Sequence, residues 1–561
     1  MRDPVISIRD FSLSYDGKHK VLEGINADIL PSERLLVLGP SGCGKSSLML
    51  CFNGIIPNLI DGRLGGNLLL RGKDICSMQV NELTREVGIV FQDPESQFSM
   101  LKVLDEVAFG LENLAKPRDE ILAGSTDALK NVGLIGHADE LLSRLSGGMK
   151  QRVAIASILA MDQNILVFDE PTSNLDPEGT RQVAGIIRGM PRSKTLIVIE
   201  HKLDQFIDIF DKILLLSGKG SMIAYGPTRE ILKKYLKQFK DMGIWIPQIP
   251  RFFLRLKEDN IGTDSLPLNL DQARESIKRS KEARIIEALD SQVQKRIKDG
   301  SRPKNAPAVK VKDLSFSFNA GEPVLEDITF TVGKGDFVGL VGPNGSGKTT
   351  LAKLMIGLYG LKPPSEIDFF LPDGKIIRER DKISKKCGYV FQNPEHQFIE
   401  ENVFDELAYG LKIAKYGQDA IKSKTWDMLG LLGLKGLSAS SPFNLSQGQK
   451  RKLSVASILI MDHDLLILDE PTFGLDFAAT TMLMELLSDY NRKGKTIIII
   501  THDMNIIFKY TSRVLVLYKG RLAFDRPTSQ LIDHTQLISK ASLEVPPLIK
   551  LFKEVGEHAV F

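Results

Sequence analysis

The chain has 561 residues, too many for one hydrophobic core, and length alone predicts about three to four lobes. Hydrophobic residues at 43% and charged residues at 25% fit a soluble globular protein, and nothing in a net charge of +3 points to bulk nucleic-acid binding. The cysteines, Cys43, Cys51, Cys76 and Cys387, show no metal-ligand spacing and no paired pattern, so free thiols in a reducing compartment are expected. No apolar run approaches the ~18 residues of a membrane span, and the first residues carry no signal-peptide apolar region. An intracellular protein is predicted, with membrane contact only through partners.

The chain opens on alternating apolar positions from Val5 to Tyr15, the period of antiparallel strands. The apolar run Leu35 to Leu38 then leads into Gly39, Pro40, Ser41, Gly42, Cys43, Gly44, Lys45, Ser46 and Ser47, which open a helical segment. Strand, glycine-rich loop and helix are the setting of a phosphate-binding loop. Its glycines let backbone N–H groups wrap phosphate oxygens, and the helix N-terminus adds its dipole. Lys45 is the residue that reaches the β- and γ-phosphates, and the Ser46 hydroxyl is the Mg²⁺ ligand. Tyr15 stands 30 residues before Lys45. Its ring either stacks on a nucleotide base or belongs to the strand core.

A strand, Gly88 to Phe91, ends at Gln92, whose amide would reach Mg²⁺ and an attacking water. A more helical stretch from Val103 to Leu111 follows. Ser146, Gly147 and Gly148 then open an apolar-periodic segment. This is either a helix N-cap alone or an N-terminus that binds the γ-phosphate of a nucleotide held by another domain. Ile165 to Phe168 reads as a strand buried on both faces, ending in Asp169 and Glu170. The first carboxylate is the candidate Mg²⁺ holder; the second points differently and can polarise water. The strand from Thr195 places His201 at its end, as a structural residue or a γ-phosphate sensor.

The same series is then written again. Lys348 lies 303 residues after Lys45, Gln392 lies 300 after Gln92, Ser446 300 after Ser146, Asp469 300 after Asp169, and His502 301 after His201. A near-constant offset over separate landmarks means two homologous domains in tandem. The second set comprises Phe318; Gly342, Pro343, Asn344, Gly345, Ser346, Gly347, Lys348, Thr349 and Thr350; Gln392; Ser446 and Gly448; Asp469 and Glu470; and His502. Thr349, Gln392 and Asp469 are its Mg²⁺ candidates, as Ser46, Gln92 and Asp169 are in the first. Gln447 stands where the first copy has Gly147. The expected domains are 4–245 and 307–540, joined by a proline-broken, charged helical linker at 246–306 and followed by a tail at 541–561. The mixed charges of Asp271 to Gly300 favour a solvated helix over a membrane-binding face.

Together these motifs resemble the nucleotide-binding domains of ABC ATPases, with Leu145-Ser-Gly-Gly-Met149 as the family signature. The resemblance covers nearly all of both copies. It implies an α/β fold of two tandem P-loop NTPase domains, each with a RecA-like core, an antiparallel β subdomain and a helical subdomain. Phe91-Gln-Asp-Pro-Glu-Ser-Gln-Phe98 and Phe391-Gln-Asn-Pro-Glu-His-Gln-Phe398 look like the cobalt-type and energy-coupling-factor importer ATPases. In that family two domains close head to tail on two ATP with Mg²⁺. Lys45, Ser46, Gln92, Asp169, Glu170 and His201 would face Ser446 and Gly448. Lys348, Thr349, Gln392, Asp469, Glu470 and His502 would face Ser146, Gly147 and Gly148. The partners implied are a transmembrane coupling subunit and a membrane substrate-binding subunit, with this chain peripheral on the cytoplasmic face and no nucleic acid. Met149, Gln447 and Phe318 depart from the family pattern. A tandem sugar-importer ATPase and a soluble tandem-ABC translation factor are the alternatives. The iron–sulfur ribosome-recycling type would need a cysteine-rich N-terminus, and a DNA-repair ATPase a long coiled-coil insertion; neither is present.

Overall fold

The computed structural model describes residues 3–173, 175–259, 261, 265–280, 283–294, 306–318, 321–371, 375–383 and 385–558. It divides into two compact units, Met1–Ile285 and Ile286–Phe561. That is fewer than length suggests, because the sheets within a unit share a core. In the first unit Ile6 and Ile8 of one sheet, Val37 and Ile165 of the other, and Leu48 of the helix after the phosphate loop join one buried cluster.

The first unit begins with antiparallel strands β1 (Ile6–Ser14) and β2 (Lys20–Ile29), completed by β4 (Arg63–Leu70) and β5 (Lys73–Asp74) in the order β2-β1-β4-β5. The second sheet holds β3 (Arg34–Leu38), β6 (Val87–Val90), β7 (Ile165–Asp169), β8 (Thr195–Ile199), β9 (Lys212–Leu216) and β10 (Met222–Pro227), in the order β10-β9-β3-β8-β7-β6. Its pairings are parallel except for the edge strand β10. β3, β7 and β8 are buried along their whole length, which is why they read as unbroken apolar runs. Helices α1 (Lys45–Phe52), α2 (Val103–Asn113), α3 (Arg118–Asn131), α4 (Gly147–Ala160) and α5 (Pro177–Gly189) complete this core.

The second unit repeats the plan. β11 (Pro307–Phe316), β12 (Leu325–Gly333), β14 (Glu366–Phe370) and β15 (Ile376–Ile377) form the antiparallel sheet. β13 (Phe337–Val341), β16 (Cys387–Val390), β17 (Leu465–Asp469), β18 (Thr496–Ile500), β19 (Arg513–Tyr518) and β20 (Arg521–Pro527) form the other, in the order β16-β17-β18-β13-β19-β20. The α/β class expected for both copies is what the structure shows.

The stretch read as a linker differs from a solvated spacer. A helix at Gln248–Glu258 buries Ile249, Phe252, Phe253 and Leu256. Pro250 sits in its first turn, where a missing N–H breaks no helical hydrogen bond. Each such buried side chain contributes roughly 1.5–3 kcal/mol. Trp245 Nε1 and the Gln248 amide both donate to Asp204, at 2.7 Å each, fixing this segment beside the turn after β8. The helix Leu270–Ser280 buries Ala273 and Ile277, and the helix Ala283–Gln294 buries Ile285, Leu289 and Val293. Within each helix those positions recur every four residues, an apolar stripe inside a charged sequence. Residues 295–305, where the sequence places the join to the second copy, lie outside the described residues. The tail likewise forms a helix, Pro547–His558, with Leu548, Ile549 and Leu551 buried.

Candidate functional site

In each unit the phosphate loop, the glutamine, the Asp-Glu pair and the histidine lie at the C-terminal ends of the parallel strands, the edge where open α/β sheets bind ligands, whereas Ser146 and Ser446 open helices and Tyr15 and Phe318 follow antiparallel strands. In the first unit the loop after β3 turns through left-handed glycines, Gly42 at φ 78° and Gly44 at φ 93°. In the second unit Gly345 and Gly347 match them at φ 76° and 97°. A side chain would strain these positions, and at Gly44 a Cβ would also strike Leu22 and Val21. Lys45 Nζ donates to the carbonyls of Gly39 and Pro40 at 2.8 and 2.9 Å; Lys348 Nζ does the same to Gly342 and Pro343 at 2.9 and 2.8 Å. Each lysine thus folds back over its own loop. Cys43, a small side chain, is buried inside the loop, and all four cysteines are unpaired.

Glu170 and Glu470 hold the left-handed backbone at φ 47° and 49°, an unusual conformation for a non-glycine residue. The amide of each donates to the end of the neighbouring strand, to Ile199 and Ile500, at 2.9 Å. Gln92 Nε2 donates to Glu170 Oε2 at 3.0 Å, and His201 Nε2 lies 2.9 Å from Glu170 Oε1, close enough to pair electrostatically but out of line for a hydrogen bond. His502 Nδ1 is hydrogen-bonded to Glu470 Oε1 at 3.0 Å. Burial works against ionisation of both glutamates, but the adjoining histidines, together with Lys45 and Lys348 and a hydrogen bond from Thr501 to Glu470, outweigh it and hold both below the usual range.

The aspartates behave oppositely. Burial pushes Asp169 up to about 6 despite a hydrogen bond from Ser46, and it raises Asp469 as well. Asp469 Oδ2 accepts from Thr349 Oγ1 at 2.7 Å and from Tyr389 OH at 3.2 Å. Asp169 Oδ1 is buried without a hydrogen-bond partner. A buried carboxylate oxygen short of partners beside a hydroxyl suits a hard cation. Among the described residues no three His, Cys, Asp or Glu gather as a metal cage. One carboxylate, one hydroxyl and phosphate oxygens are what Mg²⁺ ordinarily uses, so the residues present fit it.

Ser146 and Ser446 cap the helices they open: Ser146 Oγ accepts from the Met149 amide at 3.4 Å and Ser446 Oγ from the Gln449 amide at 3.3 Å. In the second unit Gln449 Oε1 also accepts from the Ser446 amide at 2.9 Å, completing a capping box that Met149 cannot make. Gly148 and Gly448 lie in the first turns of these helices. A Cβ at Gly147 would meet nothing within 4 Å, so glutamine at 447 needs no rearrangement. Tyr15 and Phe318 lie just beyond β1 and β11 and are 43% and 55% exposed, which rules out the strand-core reading. Tyr15 donates to Ser47 Oγ at 2.8 Å, while Phe318 packs edge-on against Phe316 and Tyr359.

Some positions escaped sequence reasoning. Glu106 and Glu406, buried in α2 and its counterpart, each accept two backbone amides, of Ser99 and Met100 and of Ile399 and Glu400, at 2.8–2.9 Å. They fix the loops that follow Gln92 and Gln392. Glu95 pairs with Lys150, and Glu395 with Lys450 at 2.5 Å, tying each such loop to the capped helix of its own unit. Arg451 donates to the carbonyls of Phe391 and Gln392, at 2.9 and 2.5 Å. The duplication of Glu95/Glu395 and Glu106/Glu406 was the signal that could have found them.

The family model for the ABC transporter matches residues 22–173 and 325–473. The chain belongs to this family. A Bacillus subtilis (strain 168) ABC ATPase, named as an HMP/thiamine import ATP-binding protein, is 37% identical over 97% of this chain and 96% of its own. An ABC transporter ATP-binding protein of Methanosarcina mazei is 37% identical over 97% of this chain and 92% of its own. Among solved structures, cbiO1 from Clostridium perfringens, part of the ABC transporter complex cbiONQ, is 31% identical over 46% of this chain and 100% of its own, at a TM-score of 0.39. This ABC ATPase therefore binds and hydrolyses ATP in the service of transport. No helix among its described residues is long and apolar enough to cross a membrane.

Proposed function

We propose that the chain is the energy-coupling ATPase of an importer of the energy-coupling-factor type, at the cytoplasmic face of the membrane and attached through partners. The observation that carries this reading is the duplicated Phe-Gln-Asp/Asn-Pro-Glu-x-Gln-Phe loop at 91–98 and 391–398, fastened in both units by a glutamate–lysine pair to the capped helix. A loop so fastened passes a push from a membrane subunit to the residues at Gln92 and Gln392. The near full-length relative named for HMP/thiamine import supports import as the direction.

Two ATP are bound head to tail. The first lies on the loop of Gly39 to Ser47, faced by Ser446 and Gly448; the second on the loop of Gly342 to Thr350, faced by Ser146, Gly147 and Gly148. Tyr15, exposed and bonded to Ser47 of its loop, and Phe318, exposed just beyond β11, stack on the bases. Lys45 and Lys348 exchange their carbonyl partners for β- and γ-phosphate oxygens. Ser46, Gln92 and Asp169, with Thr349, Gln392 and Asp469, hold Mg²⁺, which neutralises phosphate charge when bound. Glu170 and Glu470 orient water for in-line attack, and His201 and His502 hold the γ-phosphate. A capped helix N-terminus completes each site only on closure, which couples hydrolysis to movement. Both sites turn over, the first somewhat more slowly because it faces the signature that carries Gln447.

The test is co-purification from native membranes in mild detergent. Small hydrophobic membrane proteins, a coupling subunit and a substrate-binding subunit, should accompany the tagged chain, and ATPase activity should rise with them. Ribosomal subunits in their place would overturn the reading in favour of a translation factor. A sugar importer would be marked by a capture set that includes no small substrate-binding membrane subunit.

A further inference from the structure

Glu200 ends the run that leads to His201, and it is 1% exposed. A carboxylate this far from water requires donors. Thr172 Oγ1 donates to it at 2.7 Å, and the backbone amides of His201 and Lys202 donate at 2.8 and 3.0 Å. Burial still outweighs these bonds and raises the carboxyl above its usual range. The donors come from two segments. Thr172 lies two residues beyond Glu170, on the strained turn after β7; His201 and Lys202 form the turn after β8. One buried carboxylate therefore fastens the histidine turn to the segment carrying Glu170.

The second unit has Thr501 at the matching place, although Thr472 matches Thr172. The Thr501 hydroxyl accepts from the Asp503 amide at 3.1 Å, within its own turn, and is hydrogen-bonded directly to the Glu470 carboxylate. The two units thus hold equivalent histidines by different means.

We propose that Glu200 is a positioning residue of the first ATP site, acting through His201 and Glu170 and touching neither nucleotide nor water. This rests on the assignment of His201 and Glu170 to that site. A buried acid is awkward to keep for packing alone, since an apolar or hydroxyl side chain of similar reach avoids the desolvation cost. In the first unit the tie runs through Thr172 and a buried carboxylate, three bonds from two segments, where the second unit uses a hydroxyl on Glu470 itself.

The test uses the full chain in its membrane complex, carrying Glu470→Gln so that single-turnover cleavage reports the first site. Adding Glu200→Thr, the second unit's residue, should lower the cleavage rate about ten- to a hundredfold, since misplacement of an acting group at a distance has effects of that size. The KM for ATP should stay within about twofold, because the phosphate loop is untouched. Glu200→Gln keeps the shape and one acceptor, and should restore much of the rate; it also guards against misfolding of the threonine variant. In a Glu170→Gln chain, which reports the second site, Glu200→Thr should change nothing. Glu200→Thr at the full first-site rate, an equal loss at both sites, or a Glu470→Gln chain with no cleavage left would each overturn the proposal. His201→Ala separates the two layers. If it is inactive while Glu200→Thr is not, only the positioning role falls; if it is fully active, the site assignment falls with it.

Discussion

The two units share one plan but differ in what surrounds their shared carboxylates. In the first, Ile89 lies beside β7, Gln151 is buried in α4, and Glu200 adds a buried acid. In the second, those places hold Tyr389, Arg451 and Thr501. Tyr389 donates to Asp469, and Arg451 is a 2%-exposed cation whose pKa burial lowers to about 10 against the pull of Glu470 and Asp469. The first site therefore has an extra buried carboxyl near it and the second an extra buried cation. Duplication preserved the groups that meet phosphate and let their supports diverge.

Changing both glutamates, Glu170→Gln with Glu470→Gln, should have the largest effect, about a 10²–10⁴-fold loss of ATP turnover in the assembled complex. Each single variant should keep roughly half the turnover or less. The Glu470→Gln chain should be the slower, because it relies on the first site. Full turnover in either single variant would break the symmetry of two active sites.

Arg451→Gln installs the first unit's residue and strips two carbonyls of their donor. The second unit should lose about 1–3 kcal/mol of stability, read as a lowered Tm in thermal unfolding. An unchanged Tm would mean that the guanidinium's burial costs as much as its bonds return. Tyr389→Phe should cost less, about 0.5–1.5 kcal/mol in denaturant unfolding, with packing retained.

The smallest effect concerns pH. Glu200 has a raised folded pKa, so its contribution to stability is full below the unfolded value near 4.5 and is lost as pH rises through the folded value. Subtracting the Glu200→Gln unfolding curve from that of the unaltered chain should give a difference that falls with rising pH from 4.5 upward. A difference that rises with pH would reverse the sign assigned to this carboxylate.

Much of this was legible in the residues. The glycine-rich loops, the apolar runs ending in Asp169-Glu170 and Asp469-Glu470, and the histidines after β8 and β18 follow from local rules: glycine where φ is positive, unbroken apolar runs where both sheet faces are covered. The duplication multiplied the weight of each motif. Supports were harder to see. Arg451, Glu106 and Glu406 have roles set by which backbone carbonyls or amides fold onto them, and no spacing announces that. The helix at Gln248–Glu258 and the apolar stripe at 273, 277, 285, 289 and 293 were masked by prolines and charges.

The sequence by itself determined that two P-loop ATPase domains stand in tandem and which side chains crowd the strand ends, because strand, loop and helix are encoded within a few residues of each other. Only the tertiary structure decided how Glu170 and Glu470 are held at positive φ, that Tyr15 and Phe318 are exposed, and that Glu200 joins two turns. Those depend on groups far apart in the chain, here Thr172 and Glu200, 28 residues apart. Burial, which raises Asp169, Asp469 and Glu200 and is outweighed by neighbouring groups at Glu170 and Glu470, exists only once the sheets have closed over them.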